Sequence, residues 1–492
     1  MIDLSKLDRY RENNRIEAKR ALGGLPHSIW ETYSAFANTL GGIILLGVEE
    51  YPDKTLHTVD LPDPEELVRE FWAMVNDPQV ASVNVLSEQN VRIENVSGHR
   101  IVVIDVPRAH RLDRPVYVNG NPTAGAYRRT GEGDYHCTEE ELRSMYRDAA
   151  RKSQDMRLLE GLSCSVLSPA SLQSFRRKMD VTRPGHVMEA EDDEAFLLSL
   201  GAVGRGKDDA LHPTAAGLLM FGSGPVIREI FPRYSLCYRE FEKGSAEPQF
   251  LLSSSDADWS GNVCDFFARV LQRLTEILPL PGGKKAADAL PGLHPVLRAA
   301  GEALTNCLVN ADYYREGGVN VEKRPRLLTI SNPGQFRIRV AQARSGGLSD
   351  PRNGTMMKMF NLISAGESTG SGIPNIFYVW KQQGWAEPSI TQALAPDVIT
   401  VSLPLGRTRS GAAGPVRGGS SAETEAKRQM IVDYLTEHVT ASSAQLSQAL
   451  GLSLRRTREL LRTLREEDVV AVWGGGKYRS YSLRSDPLRK NV

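Results

Sequence analysis

At 492 residues, with 41% apolar and 24% charged positions, the chain is too long for one hydrophobic core and ordinary in composition, so three or four domains are expected. Its 60 Lys and Arg balance its 60 Asp and Glu, which excludes a uniformly basic surface; any nucleic-acid-binding face has to be local. Cys137, Cys164, Cys237, Cys264 and Cys307 contain no C-x-x-C pair and read as reduced thiols; the opening MIDLSKLDRYRENN lacks a signal-peptide core, and no run reaches the roughly eighteen apolar residues of a membrane span, so a cytoplasmic protein without membrane contact is expected.

Residues 1–150 read as an α+β domain. Ser28 and Glu31 have the S-x-x-E spacing of a capping box for a helix SIWETYSAFANTL, which Gly41 and Gly42 end before the apolar run IILLGV. Strand-like runs follow at VRIENV, RIVVIDVP and PVYVNG, and the charged run 139–157 predicts a helix with a domain edge near residue 150. Residues 151–290 read as a connecting α/β region, with a helix-like stretch at TAAGLLMFG before the strand-like YSLCYREF. Within it, GAVGRGKD at 201–208 matches the first seven positions of a phosphate loop. Asp208 replaces the hydroxyl needed for Mg2+, however, and the preceding AFLLSL reads as a helix rather than a strand, so the segment is assigned to a loop.

Residues 291–405 show a long helix, a short strand LLTI, a glycine-rich stretch and a last strand VITVSLPL, the pattern of an α/β sandwich with glycines at one edge. Residues 406–424, GRTRSGAAGPVRGGSSAET, have no apolar periodicity and predict a flexible linker. Beyond it, 425–485 predicts a winged helix-turn-helix: RQMIVDYLTEH, SAQLSQALG, a Gly451-Leu452 turn, and a third helix with Ser453 as N-cap. In that helix Leu454, Thr457, Leu460, Leu461 and Leu464 share one face, and Arg455, Arg458, Arg462 and Arg465 recur on another. A hairpin DVVAVWGGGKYRSYSL follows, with Lys477 and Arg479 at its tip. Residues 406–492 hold 15 Lys and Arg against 9 Asp and Glu, a local charge of +6. Arg455, Arg456, Arg458 and Arg462 are the candidates for contacting double-stranded DNA, where an arginine near the helix start can read a guanine edge, and Lys477 and Arg479 for phosphate contacts; a solvated arginine face or a protein-binding winged helix are the alternatives.

Two resemblances extend this reading. The run ENNRIEAK, with Glu12, Glu17 and Lys19, followed by YSAFANTLGGIILLGVEE and RPVYVNG, resembles the Schlafen AlbA-type (AlbA_2) family over roughly residues 10–147. The resemblance implies a nucleic-acid-binding module. Some Schlafen proteins are RNA nucleases that use acidic residues here, which would make Glu12 and Glu17 metal-holding catalytic groups with Lys19 beside them, Glu49 or Glu50 as a third acid, and RNA the partner. The alternative is that Glu17 and Lys19 stabilise the fold or contact the nucleic-acid backbone indirectly, two glutamates in a charged helix being common.

The helix HPVLRAAGEALTNCLVNADYY, with Glu302 and Asn306 four apart, together with ISNPGQF, SGGLSDPRNG and ESTGSGIPNI, resembles the GHKL ATPase fold. That resemblance implies ATP and Mg2+: Glu302 orienting water, Asn306 carrying the metal, and Gly370 to Gly372 cradling phosphates. Asn332 and Gly334 stand where the family has the Asp and first glycine of its D-x-G-x-G box, and Phe336 replaces the second glycine. A degenerate fold kept for packing or dimerisation is the alternative. The combination is similar to a bacterial transcriptional-regulator-like family, and implies a homo-oligomer whose winged helices meet paired half-sites. A DNA-binding regulator modulated by ATP is expected; a metal-dependent RNA nuclease is the second reading.

Overall fold

The run IILL is apolar at every position, so as a strand it needs cover on both faces. In the computed structural model it lies in strand Gly42–Leu46, within a sheet ordered Ile16–Lys19, Gly42–Leu46, His99–Val106, Val91–Val96. The first pair is parallel and the others antiparallel. Ile44, Leu46, Val102 and Ile104 cluster with residues of helices Ile29–Asn38 and Pro64–Val75, while Leu45, Ile101 and Val103 cluster with Ile16 and Val48. Gly41 sits at φ +76°, where a Cβ would come 2.7 Å from Val106 O, so only glycine lets the helix turn directly into the strand.

The structure describes residues 4, 7, 10, 12–278, 294–363, 370–394, 396–406, 427–428, 430–432, 434–435, 441–466, 469–473 and 480–483. Of the linker expected at 406–424, only Gly406 falls among them.

Several local expectations change. Ser28 makes no capping bond, because it is already helical at φ −67° and ψ −6°; its Oγ accepts from Lys19 Nζ at 3.0 Å instead. Thr138 and Glu141 do form a capping box, opening helix Glu139–Ala149, but the charged run is helical only that far before a short 3-10 turn at Gln154–Met156. PVYVNG makes isolated bridges at Tyr117 and Val118 rather than a strand. The GAVGRGKD segment is a loop, as its chemistry required: Gly201, at φ +72°, ends helix Asp193–Leu200, and a hairpin pairs Val203–Arg205 with Leu211–Pro213. Asp208 there accepts a hydrogen bond from His212 at 3.0 Å.

Met1–Thr408 is one compact unit. Its second sheet has six strands in the order Phe250–Ser253, Leu236–Glu240, Val319–Arg324, Leu327–Pro333, Asp397–Pro404, Ser389–Leu394. Leu236–Glu240 pairs in parallel with Val319–Arg324, so part of the supposed connecting region belongs to the same sheet as the glycine-rich segment. The alternation is one-sided: Val319, Val321, Leu328, Ile330, Val401 and Leu403 are buried, and their neighbours Asn320, Glu322, Thr329 and Ser402 are not. Helices Val263–Ile277, Pro295–Asn310, Gly354–Leu362 and Gly372–Gln382 supply Phe267, Leu304, Met359 and Ile376 to the core on that face. Cys137, Cys264 and Cys307 are buried free thiols, each pushed up to about 12 by burial.

The second unit, Arg409–Val492, contains helices Ser443–Ala449 and Leu454–Glu466 and a three-stranded antiparallel sheet ordered Ala441–Ser442, Ser480–Leu483, Val470–Trp473. The described residues between 427 and 435 are helical. Ile431, Leu435, Leu446, Leu460, Leu461, Leu464, Val470 and Tyr481 form its core. Ser453 Oγ accepts from Arg456 N at 3.3 Å, as the predicted cap should, and Thr457 is buried. Leu454 departs from the predicted apolar face, being 37% exposed at the first helical position, one turn short of that core.

Candidate functional site

Helix Pro295–Asn310 opens with proline at its first position, where the missing N–H costs nothing, and its alanines and leucines let it lie against the sheet. Spacing of four then lines up Glu302, Asn306 and Asn310 on one edge. Asn306 Nδ2 donates to Glu302 Oε1 at 3.3 Å, and Asn310 Nδ2 donates to Asn306 O at 2.9 Å. Beside this edge is a pocket of about 450 Å³ lined by Ala303, Asn306, Asn332, Phe336, Ile373 and Ile399 among others. Its walls are mainly apolar, with a few amides, as the walls of small-molecule sites commonly are.

Asn332, 1% exposed at the end of its strand, donates through Nδ2 to Pro333 O at 3.1 Å, which leaves Oδ1 as the atom to accept from a purine amine. The glycines are required by close approach. A Cβ on Gly334, at φ +106°, would come 2.6 Å from Arg352 Nη1; one on Gly370, at φ +74°, would come 2.6 Å from Leu348 O; one on Gly372 would overlap Glu302 Oε1. Gly372 also starts helix Gly372–Gln382, whose N-terminal N–H groups favour negative charge. These residues fit a nucleotide: an apolar slot, an acceptor for a base edge, and a glycine cradle at a helix start. Among the described residues no group of three or more His, Cys, Asp or Glu is placed to hold a metal, but Mg2+ held by one amide, phosphates and water needs no such group.

The N-terminal acids occupy a different setting. Glu17 and Lys19 lie on the edge strand Ile16–Lys19 rather than on a charged helix. Glu17 Oε1 pairs with Lys19 Nζ at 2.9 Å, and Glu17 Oε2 with Arg129 Nη2 at 2.7 Å; Arg129, 1% exposed, also reaches Asp134 at 3.0 Å. Glu12 Oε1 accepts from Ala18 N at 2.9 Å, and its carboxyl is raised above the usual range, chiefly by burial and further by the charges of Glu17 and Glu50. Of Glu49 and Glu50, it is Glu50 whose charge bears on Glu12, while Glu49 reaches Arg20 at 3.5 Å. Glu50 Oε1 is buried without a hydrogen bond, while its Oε2 pairs with Lys54 at 2.9 Å. Glu12, Glu17 and Glu50 are near enough to interact, yet not gathered around one point. Sequence reading missed Arg129 and Asp134; the signal available was YRRTGEGD, whose tight turn returns Asp134 opposite Arg129 across a hairpin.

On helix Leu454–Glu466, Arg455, Arg458, Arg462 and Arg465 are all exposed. Arg456 is partly buried and pairs with Glu459 at 2.9 Å, and Arg458 Nε donates to Ser443 Oγ at 3.5 Å. Lys477 and Arg479 lie outside the described residues.

Residues 12–138 match the Schlafen, AlbA_2 family model. Over those residues the chain carries a Schlafen AlbA_2-type domain. Its AlbA_2 domain is followed by residues 143–237, which match a domain of unknown function, DUF8451, and by residues 318–401, which match a family described as putative ATP-dependent DNA helicase recG C-terminal. The AlbA_2 domain is thus fused to an ATPase-like domain; that match takes in Asn332, Gly334, Gly370 and Gly372, while Glu302 and Asn306 precede it. Among solved structures, the DIP2311 protein of Corynebacterium diphtheriae is 15% identical, with 96% of this chain and 95% of that chain covered and a TM-score of 0.40. The N-terminal domain of a putative ATP-dependent DNA helicase RecG-related protein from Nitrosomonas europaea is 32% identical, covering 28% of this chain and 95% of that one, with a TM-score of 0.22. No curated protein matches. Among the described residues no helix is long and apolar enough to cross a membrane.

Proposed function

We propose that this chain is a DNA-binding regulator whose engagement of double-stranded DNA is governed by nucleotide in the ATPase-like domain. The observation that carries the reading is the exposed row Arg455, Arg458, Arg462 and Arg465, on a helix whose other side is buried in its own core and which follows a short helix and a tight turn. That arrangement, with a hairpin after it, is what a winged helix-turn-helix needs: a rigid cationic helix for the major groove. Arg455 at the helix start would read base edges and the later arginines would meet phosphates.

In the ATPase-like domain Asn332 would accept from the base, Gly370 and Gly372 would receive phosphates, and Asn306 would hold Mg2+. Bound ATP supplies a phosphoanhydride whose hydrolysis Glu302 would assist by orienting water. Two copies of the chain would present two such helices to paired half-sites in a cytoplasmic regulator. Replacing Arg455 and Arg458 together by alanine tests the reading in a salt series on duplex DNA: affinity should fall and the salt slope should flatten. An unchanged affinity and slope would exclude the helix as the reader.

A second reading, a metal-dependent RNA nuclease, is favoured by the mutual influence of Glu12, Glu17 and Glu50. It requires divalent metal to draw the three carboxylates together in competition with Lys19, Lys54 and Arg129. Mn2+-dependent cleavage of RNA that disappears in Glu50→Gln would support it, and intact RNA with wild-type protein and metal would end it.

A further inference from the structure

The arginines at the start of helix Leu454–Glu466 are not equivalent. Arg456 is paired with Glu459 at 2.9 Å, and Arg458 Nε donates to Ser443 Oγ of the preceding helix at 3.5 Å. Arg455 is exposed and has no partner among the described residues. Its guanidinium therefore keeps all its N–H donors for a ligand. The backbone beneath it is held at several points: Ser447 Oγ donates to Leu452 O at 2.6 Å, Ser453 Oγ accepts from Arg456 N at 3.3 Å, and Thr457 Oγ1 donates to Ser453 O at 3.1 Å.

Leu454 stands next to Arg455. A single exposed leucine is ordinary on a protein surface, so its exposure decides little; its position decides more. At about 100° per residue, Leu454 falls about 40° round the helix from Arg458 and about 20° from Arg465, on the margin of the arginine row. The buried face of the helix begins at Thr457 and continues through Leu460, Leu461 and Leu464; Leu454, a turn earlier, takes no part in that core. The helix start thus presents a leucine beside two arginines, Arg455 and Arg458. An aliphatic side chain can neither donate nor accept a hydrogen bond. On the floor of the DNA major groove the apolar feature is the C5-methyl group of thymine, whereas guanine offers O6 and N7 to an arginine.

We propose that Leu454 determines sequence specificity by packing on the methyl group of a thymine in the base pair next to a guanine read by Arg455. The inference rests on the proposed reading of double-stranded DNA by this helix, and adds to it the chemistry of the site: a guanine with a thymine, on either strand, in the adjoining pair. The first turn, with its backbone held, reads the bases, while Arg458, tethered to Ser443, and the later arginines meet phosphates.

Duplexes selected by the full chain from a randomised pool at one salt concentration supply the probe. Each thymine of the best-bound duplex is then replaced in turn by deoxyuridine, which removes the methyl group and keeps the base pair. Wild type should lose about fourfold in affinity at one such position, the worth of one buried methyl group, and that thymine should adjoin a guanine. Leu454→Ala or, should that variant not fold, Leu454→Gln should bind the thymine and deoxyuridine duplexes equally. Arg455→Ala should weaken binding to both and keep the difference between them. Wild-type indifference to deoxyuridine at every position, or a Leu454 variant as sensitive as wild type, overturns the assignment of Leu454 and leaves the arginine row standing. Absence of duplex binding, or duplex affinity unchanged when Arg455 and Arg458 are both alanine, overturns the DNA reading itself and this inference with it.

Discussion

Two polar sites in the same compact unit are built in opposite ways. Around Glu302 and Asn306 the chain leaves room: apolar walls, glycines where a methyl group would not fit, and about 450 Å³ of open pocket. Around Glu17 it leaves little, because Lys19, Arg129 and Asp134 answer one another in a closed set of ion pairs at a strand edge and a hairpin. The first arrangement is suited to receive a ligand, whereas the second holds the N-terminal strand to the domain and would have to be partly undone to receive a metal. A pair of carboxylates in a motif is therefore weaker evidence of chemistry than space beside one.

The largest effect should come from the closed set. Arg129→Met removes the partner of both Glu17 and Asp134, and breaking such a buried pair from one side costs about 3–5 kcal/mol; chemical denaturation should find the domain strongly destabilised, and a loss below about 1 kcal/mol would mean the network is not closed. Gly372→Ala strikes the open site, placing a methyl group on Glu302 Oε1, and should cost about 1–3 kcal/mol and remove nucleotide binding. Normal nucleotide affinity in that variant would separate Gly372 from the cradle.

A smaller effect concerns Glu12. Its folded-state pKa is raised above the unfolded value, so the folded protein binds the extra proton, and stability is lost as pH climbs from the ordinary carboxylate range through the raised value. Glu12→Gln can keep the bond from Ala18 N without the charge, and should be more stable than wild type at pH 7, with the advantage shrinking towards pH 4. Urea unfolding of both proteins across that range checks the sign; an advantage that grows on acidification would show that the Glu12 charge is stabilising.

What the sequence disclosed about these regions follows from the range of the interactions involved. The helix Ile29–Asn38, the two glycines and the strand after them are local in pattern, as are the cap at Ser453 and the exposed arginines of helix Leu454–Glu466. The Glu302 to Asn306 spacing was equally legible, since one helical turn sets it. Ser28 misled because its hydroxyl is taken by Lys19, nine positions away, and its backbone is already helical. Glu49 and Glu50 could not be separated, because a three-residue strand gives too little alternation to tell which acid turns towards Glu12. The strand Leu236–Glu240 reaches its parallel partner across some eighty intervening residues, and Arg108 and Arg114 meet Gln335 from more than two hundred positions away; neither relation leaves a periodic trace.

The most direct measurement is the affinity of the full chain for duplex DNA at one fixed salt concentration, with and without ATP and Mg2+, in wild type and in Asn306→Ala. The proposed coupling between the open pocket and helix Leu454–Glu466 predicts that nucleotide shifts wild-type affinity and leaves that of Asn306→Ala unchanged. Equal wild-type affinity with and without nucleotide, or the same shift in both proteins, would contradict it.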